Sequence, residues 1–273
     1  MTTSPTLLFI GCGNMGASII GGALRKLPGA RIVAVDPDPD RARSLLPEGA
    51  RIELLADPAA VAGLRPDLVV LAVKPQLFGS LDPEVMRLLA LAPVVSVMAG
   101  IPLARLASTI GHDRVIRVMP NLPALVGQGM SLGCRPSGDT DPSILGLVET
   151  LFGALGRFDW VADEDLFERA SPVFACGPGF IFAIAEQMTR AATASGLPED
   201  LADRLVRQTF LGSATMLAED PRSAEMLKRA VTSPNGTTQA GLSELEAPAA
   251  LPRVIPATFQ AAYARALELA AQG

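Results

Sequence analysis

The sequence predicts an α/β domain built on a parallel sheet, followed by an all-α domain. Three observations carry that expectation. Short apolar runs alternate with helical patterns up to about residue 160, long Ala-rich helical segments dominate from about Asp163 onward, and no internal repeat or low-complexity linker lies between them. The boundary is therefore a change of architecture, and it divides the chain into 1–162 and 163–273. A length of 273 residues suits that division, because it is near the size at which a single hydrophobic core stops growing.

The strands of the first half are read in order from "LLFI", "RIVAVD", "LVVLAV", "PVVSVMAG" and "RVIRVM", with "MGASIIGGALRKL" as the first crossover helix. In the second half, Pro and Gly punctuate the helices at "GPGF", "GLPED", "AEDPRS" and "VTSPNGTTQAG".

Composition excludes several classes of function. The chain is 49% hydrophobic but only 4% aromatic, and its longest apolar stretch, Leu88 to Ile101, is shorter than the ~20 residues of a transmembrane helix and is cut by Pro93. No membrane span is expected. No basic region precedes the first apolar residues, unlike a signal peptide, so a cytoplasmic location is expected. A net charge of -5 with scattered acids and bases offers no basic stripe for nucleic acid. Cys12, Cys134 and Cys176 have neither paired spacing nor nearby histidines, which argues against disulfides and against a metal site. His112, the only histidine, reads as a turn residue before "RVIRVM" rather than a general base.

The first chemical motif is "LLFIGCGNMG", a strand running into Gly11, Gly13 and Gly16 with a helix starting near Asn14 and Met15. Asp36 closes the second strand 20 residues past Gly16, the spacing of a dinucleotide site. Each glycine has a physical task there: a tight turn, close approach of a pyrophosphate, and packing of helix on strand. Amides at the helix start would hold the phosphates. Asp36 suits the ribose hydroxyls of NADH and equally suits an ordinary turn, while Arg41 and Arg43 lie where a 2'-phosphate of NADPH could be met. The cofactor is thus NADPH or NADH. More of its wall is expected from "AVKPQ" (Ala72, Val73, Lys74) and "SVMAGI" (Ala99, Gly100), since ligands of open α/β sheets sit beyond the carboxyl ends of the strands.

Lysine occurs only at positions 26, 74 and 228, so "FACGPGFIFAIAEQM" lacks a helix-borne lysine to donate a proton to a forming alkoxide. Reduction of a carbon–nitrogen double bond is less demanding, because its nitrogen can arrive protonated. In "RAVTSPNGTTQAGLSEL" a helix is expected to end near Val231, the chain to turn through Ser233, Pro234, Asn235 and Gly236, and a new helix to begin at Thr237 or Thr238. Amides and hydroxyls at that helix start would form an anion site; the other reading is that Ser233 and Thr237 only cap the helix.

With these residues in view, the chain resembles the pyrroline-5-carboxylate reductase family over essentially its whole length, through "IGCGNMG", "AVKPQ", "SVMAGI", "RVMPNLP", "GPGFIF" and, most specifically, "VTSPNGTTQAGLSEL". The resemblance implies a Rossmann domain over 1–162 and a helical dimerisation and substrate domain over 163–273, forming a homodimer or a higher assembly of dimers. It implies reduction of 1-pyrroline-5-carboxylate, a cyclic imino acid, to L-proline. By the same resemblance Ser233, Asn235, Gly236, Thr237 and Thr238 hold the substrate carboxylate, the Thr238 hydroxyl lies near the ring nitrogen as the catalytic group, and Met119, Pro120 and Asn121 line the nicotinamide side.

The chain departs from the family pattern twice. Asn235 stands where members usually carry a glycine, and "FACGPG" (Phe174 to Gly179) replaces a small polar run, with Phe174 and Ala175 expected to face the core. Another cyclic imine, a hydroxyacid or prephenate-type dehydrogenase, and a non-catalytic dinucleotide sensor are the alternative readings.

Overall fold

The computed structural model describes residues 4–134 and 140–272. In its first part it forms an eight-stranded sheet: β1 (Thr6–Ile10), β2 (Arg31–Val35), β3 (Glu53–Leu55), β4 (Leu68–Leu71), β5 (Val94–Ser96), β6 (Val115–Pro120), β7 (Gly129–Cys134) and β8 (Gly156–Val161). Their spatial order is β3-β2-β1-β4-β5-β6-β7-β8. The first six strands are parallel. The order reverses between β1 and β4, which opens a crevice at their carboxyl ends.

The helices of this part are α1 (Asn14–Lys26), α2 (Pro39–Leu45), α3 (Pro83–Leu89), α4 (Leu103–Ile110), α5 (Pro142–Gly153) and α6 (Glu164–Phe174). Several start on an Asp-Pro step: Asp38, Asp82 and Asp141 each accept a backbone N–H of the first turn, and Pro39, Pro83 and Pro142 supply a helical φ where no N–H is needed.

Strand alternation divides the core. Leu7 and Phe9 of β1, with Leu68 and Val70 of β4, pack on the side of α1 and α5. Leu8, Ile10, Val69 and Leu71 pack on the side of α3 and α4. Both faces of the central strands are covered, so they read as unbroken apolar runs.

The sheet is not wholly parallel. β7 pairs antiparallel with β6, because the short connection through Leu122–Val126 cannot make the crossover that a parallel neighbour needs. β8 then runs parallel to β7. These strands escape an apolar-run reading because glycines interrupt β7 and polar residues alternate along β8; Gly133 leaves room for the Trp160 ring.

Strand gives way to helix between Val161 and Glu164. The compact units are drawn differently from the 162/163 boundary: Met1–Ala175 with Tyr263–Gly273, and Cys176–Ala262. The reason is α6. Its Phe167 and Phe174 are buried with Met119, Leu132 and Cys134, and its Glu164 and Glu168 pair with the fully buried Arg117 of β6 at 2.9 and 2.7 Å. Removing Arg117 would leave the nearly buried Glu168 carboxylate without its cation, a loss of about 3–5 kcal/mol, and the arrangement fastens α6 to the sheet.

The second unit is helical: α7 (Gly177–Ala194), α8 (Glu199–Glu219), α9 (Ala224–Ala230), α10 (Thr237–Leu245) and the greater part of α11 (Leu251–Gln272). α7 packs on α8, and the Phe180 ring lies tilted against that of Phe259 with centroids 6.1 Å apart. Its buried apolar residues are Ala202 and Val206, while Ile181, Phe182, Leu211 and Leu217 are each at least half exposed. Among the described residues, no helix is long and apolar enough to cross a membrane.

Candidate dinucleotide cavity and helix-start turn

β1 delivers the chain into the turn Gly11–Gly13, and α1 begins at Asn14 with Gly13 as its N-cap and no side-chain cap. The three glycines differ in what they face. Gly11 has φ +93°, and a Cβ there would meet the Ala72 carbonyl at 2.7 Å; one on Gly16 would meet the Gly11 carbonyl at 2.4 Å. These two make the loop compact. A Cβ on Gly13 would meet nothing within 4 Å, so that backbone lies open to the crevice.

The crevice is a cavity of about 820 Å³ at the carboxyl ends of β1, β2, β4, β5 and β6. Of the residues expected there, Gly11, Gly13, Asn14, Met15, Asp36, Ala72, Val73, Lys74, Ala99 and Pro120 line it. Gly16 is buried beneath the loop. Gly100 faces the end of the chain instead, its Cβ position 3.2 Å from that of Leu269. Asn121 is only 8% exposed and is committed at both ends: its Nδ2 donates to the Phe174 carbonyl at 2.9 Å, and its Oδ1 accepts from the Met130 amide at 2.9 Å. Its side chain joins β7 to α6 rather than facing the cavity.

Asp36 has a double position. Its carboxylate is nearly buried, with Oδ2 accepting the Cys12 amide at 2.7 Å and Oδ1 the Asp38 amide at 3.0 Å. It therefore clamps the glycine loop while lining the cavity. Burial and the neighbouring Asp36 charge push the Cys12 thiol up to about 11, so it stays a neutral thiol. Arg41 and Lys74, both exposed, put positive charge on the cavity rim. Met98 of "SVMAGI" also lines the wall, whereas the sequence reading missed Leu77 and Ser80. Leu77 and Ser80 sit on the short 3-10 helix Pro75–Ser80, whose signal is the Lys-Pro step in "AVKPQ".

The fit to a dinucleotide rests on this construction. A glycine that opens where a phosphate would approach, α1 amides without a side-chain cap, and cationic groups on the rim suit a pyrophosphate. His112 lies in the turn before β6, with its Nε2 3.1 Å from the Leu89 carbonyl. Among the described residues no cluster of His, Cys, Asp or Glu could hold a metal ion.

In the helical unit, α9 ends at Ala230 and α10 begins at Thr237 with Gly236 as N-cap. No side chain caps it. The capping role considered for Ser233 and Thr237 is thus not taken: Gly236 N–H donates to the Ser233 carbonyl at 3.0 Å, and the Ser233 Oγ stands 2.3 Å from where a Gly236 Cβ would be. Ser233, Asn235, Thr237 and Thr238 are all exposed. A helix N-terminus presenting amides and hydroxyls to solvent favours a small anion. The "FACGPG" segment divides: Phe174 is buried, Ala175 packs against the same cluster, and Cys176 is half-buried as the N-cap of α7.

Comparison with known proteins accords with this geometry. Residues 164–269 match the family model for pyrroline-5-carboxylate reductase dimerisation, and residues 6–100 match that for NADP oxidoreductase, coenzyme F420-dependent. The chain is 39% identical over 249 residues to the pyrroline-5-carboxylate reductase of Pisum sativum, covering 90% of this chain and 89% of that protein. It is 36% identical over 280 residues to the Pseudomonas aeruginosa enzyme of the same name, covering 99% and 98%. A solved pyrroline-5-carboxylate reductase structure from Coxiella burnetii superposes with a TM-score of 0.87 at 31% identity, covering 97% of this chain and 98% of that one. A glycine-loop cavity, an uncapped helix start amid hydroxyls and full-length similarity of this order place the chain in the pyrroline-5-carboxylate reductase family.

Proposed function

We propose that the cavity at the carboxyl ends of the strands holds NADPH or NADH, and that the turn Ser233–Thr238 holds the carboxylate of a cyclic imino acid. The reaction is that of the family, NAD(P)H-dependent reduction of 1-pyrroline-5-carboxylate to L-proline. The dinucleotide supplies the hydride that reduces the C=N carbon. The observation that carries the residue assignment is the glycine N-cap of α10, which leaves the first amides of the helix without a side-chain cap beside three exposed hydroxyls.

In this reading the amides of Thr237 and Thr238 and the Ser233 hydroxyl hold the carboxylate. The Thr238 hydroxyl orients the ring nitrogen and hydrogen-bonds to its proton, and a protonated imine needs no further strong acid. Around the dinucleotide, Gly11, Gly13, Asn14 and Met15 present backbone to the pyrophosphate, and Ala72, Val73, Lys74, Ala99 and Pro120 form the wall. Gly16 and Asp36 keep the loop in shape.

The exposed apolar residues of α7 and α8 support a homodimer, or an assembly of dimers, in which this surface is covered by a second copy; the segment 163–273 is then the dimerisation and substrate part and 1–162 the dinucleotide part. A cytoplasmic location accords with a small soluble substrate. The test is oxidation of NADPH and NADH by purified protein with 1-pyrroline-5-carboxylate, followed by detection of proline. Proline formed in proportion to cofactor consumed supports the reading. No turnover with either cofactor defeats it and leaves the sensor alternative.

A further inference from the structure

The turn between α9 and α10 is held by a side chain that the reaction has not used. Asn235 has φ +60° and is the only non-glycine residue with positive φ among the described residues. That conformation is costly for any residue with a Cβ, and Asn bears it better than most. Gln239, in the first turn of α10, reaches back over the N-cap and accepts the Asn235 amide at 2.6 Å. Because a backbone N–H can only donate, it is the Oε1 end of Gln239 that faces it. The arrangement resembles a capping box displaced outward by one residue. Gln239 therefore engages the amide outside the helix and leaves those of Thr237 and Thr238 without a side-chain cap.

We infer that Gln239 is a positioning residue for the substrate carboxylate: by holding the Asn235 amide it keeps Asn235 left-handed and so sets the direction of the first α10 amides. The inference rests on the carboxylate reading of the Ser233–Thr238 turn. It also gives the Asn at 235 a physical partner. A glycine there would adopt positive φ readily without help, whereas Asn gains from the added hydrogen bond.

The experiment uses the full-length enzyme with 1-pyrroline-5-carboxylate as variable substrate. Gln239 is exposed, so Gln239→Leu removes the acceptor without opening a core. The KM for the imino acid is expected to rise roughly threefold to tenfold, the scale of one hydrogen bond, with kcat and the KM for NADPH within about twofold of wild type. In an Asn235→Gly background, Gln239→Leu should raise that KM by less than about twofold, because glycine no longer depends on the clamp. An unchanged KM in Gln239→Leu, or an equal rise in both backgrounds, overturns the inference. Gly236→Ala tests the site itself, since its methyl group would crowd the Ser233 Oγ. If Gly236→Ala takes the imino acid as well as wild type, the carboxylate reading fails and the inference with it. If Gly236→Ala is impaired and Gln239→Leu is not, only the role of Gln239 falls.

Discussion

α1 and α10 both begin at a glycine N-cap without a side-chain cap, yet they are held in opposite ways. At α1 the loop is open to the crevice at Gly13 and packed elsewhere: Gly11 lies against Ala72, Gly16 against Gly11, and the Asp36 carboxylate accepts the Cys12 amide. Most of α1 from Gly16 to Ala23 is buried. α10 has no buried residue, and its entry turn is shaped by local bonds among Ser233, Asn235, Gly236 and Gln239. The same uncapped glycine helix start can thus be made rigid by burial or by short-range hydrogen bonds. Damage should spread into stability in the first case and stay within binding and chemistry in the second.

The largest expected effect is at Gly16. Gly16→Ala would put a methyl group 2.4 Å from the Gly11 carbonyl, a backbone atom that cannot move without opening the loop. Denaturant unfolding should show a loss of about 3 kcal/mol, and titration with NADPH should show binding weakened at least about a hundredfold. A variant of normal stability and affinity would show that the loop is softer than its packing implies.

At the second helix start the effect should be confined to turnover. Thr238→Ala is expected to lower kcat/KM by roughly tenfold to a hundredfold, about 1.4 to 2.8 kcal/mol, with stability changed by less than about 0.5 kcal/mol. Cofactor affinity should barely change. Steady-state kinetics and a melting curve check both halves, and an unaltered kcat/KM would remove Thr238 from the mechanism.

Asp36 sharpens the comparison because it belongs to the rigid site and also lines the cavity. Asp36→Ser should weaken both cofactors, by about tenfold for NADH and less for NADPH, through loss of hydrogen bonds to a charged acceptor together with a shift of preference toward NADPH. Equal weakening with an unchanged ratio of kcat/KM for the two cofactors would reduce the carboxylate to a loop clamp. The smallest effect is expected at Cys176, half-buried at the start of α7: Cys176→Ser should keep activity on 1-pyrroline-5-carboxylate within about twofold of wild type or raise it modestly. A large loss would mean that the "FACGPG" segment shapes the pocket and not only the packing.

What could be read from sequence follows the range of the forces involved. The strand, glycine loop, helix and Asp36 were legible because each is a local pattern of sterics and burial. So was the helix break at Ser233–Gly236, since Pro, Asn and Gly mark turns wherever they cluster. The partner of a buried polar side chain was not legible, although the inward direction of Phe174 and Ala175 was. Asn121 stands beside Pro120 at the end of β6 yet turns into the protein to join β7 and α6. The attachment of α6 to the sheet was hidden for a similar reason, since Arg117 reads as an ordinary polar interruption of "RVIRVM" until Glu164 and Glu168 are placed on it. Gln239 reads as one more polar helix residue, and only the φ of Asn235 gives it a task.

Hydrogen exchange of the backbone amides in the presence of each ligand tests the division of labour most directly. NADPH alone is predicted to protect the amides of residues 12–16 and to leave those of residues 236–239 unchanged, whereas adding L-proline to the complex with the oxidised dinucleotide should protect residues 236–239. Absence of protection at residues 236–239 with proline at saturation, or their protection by NADPH alone, would contradict the account.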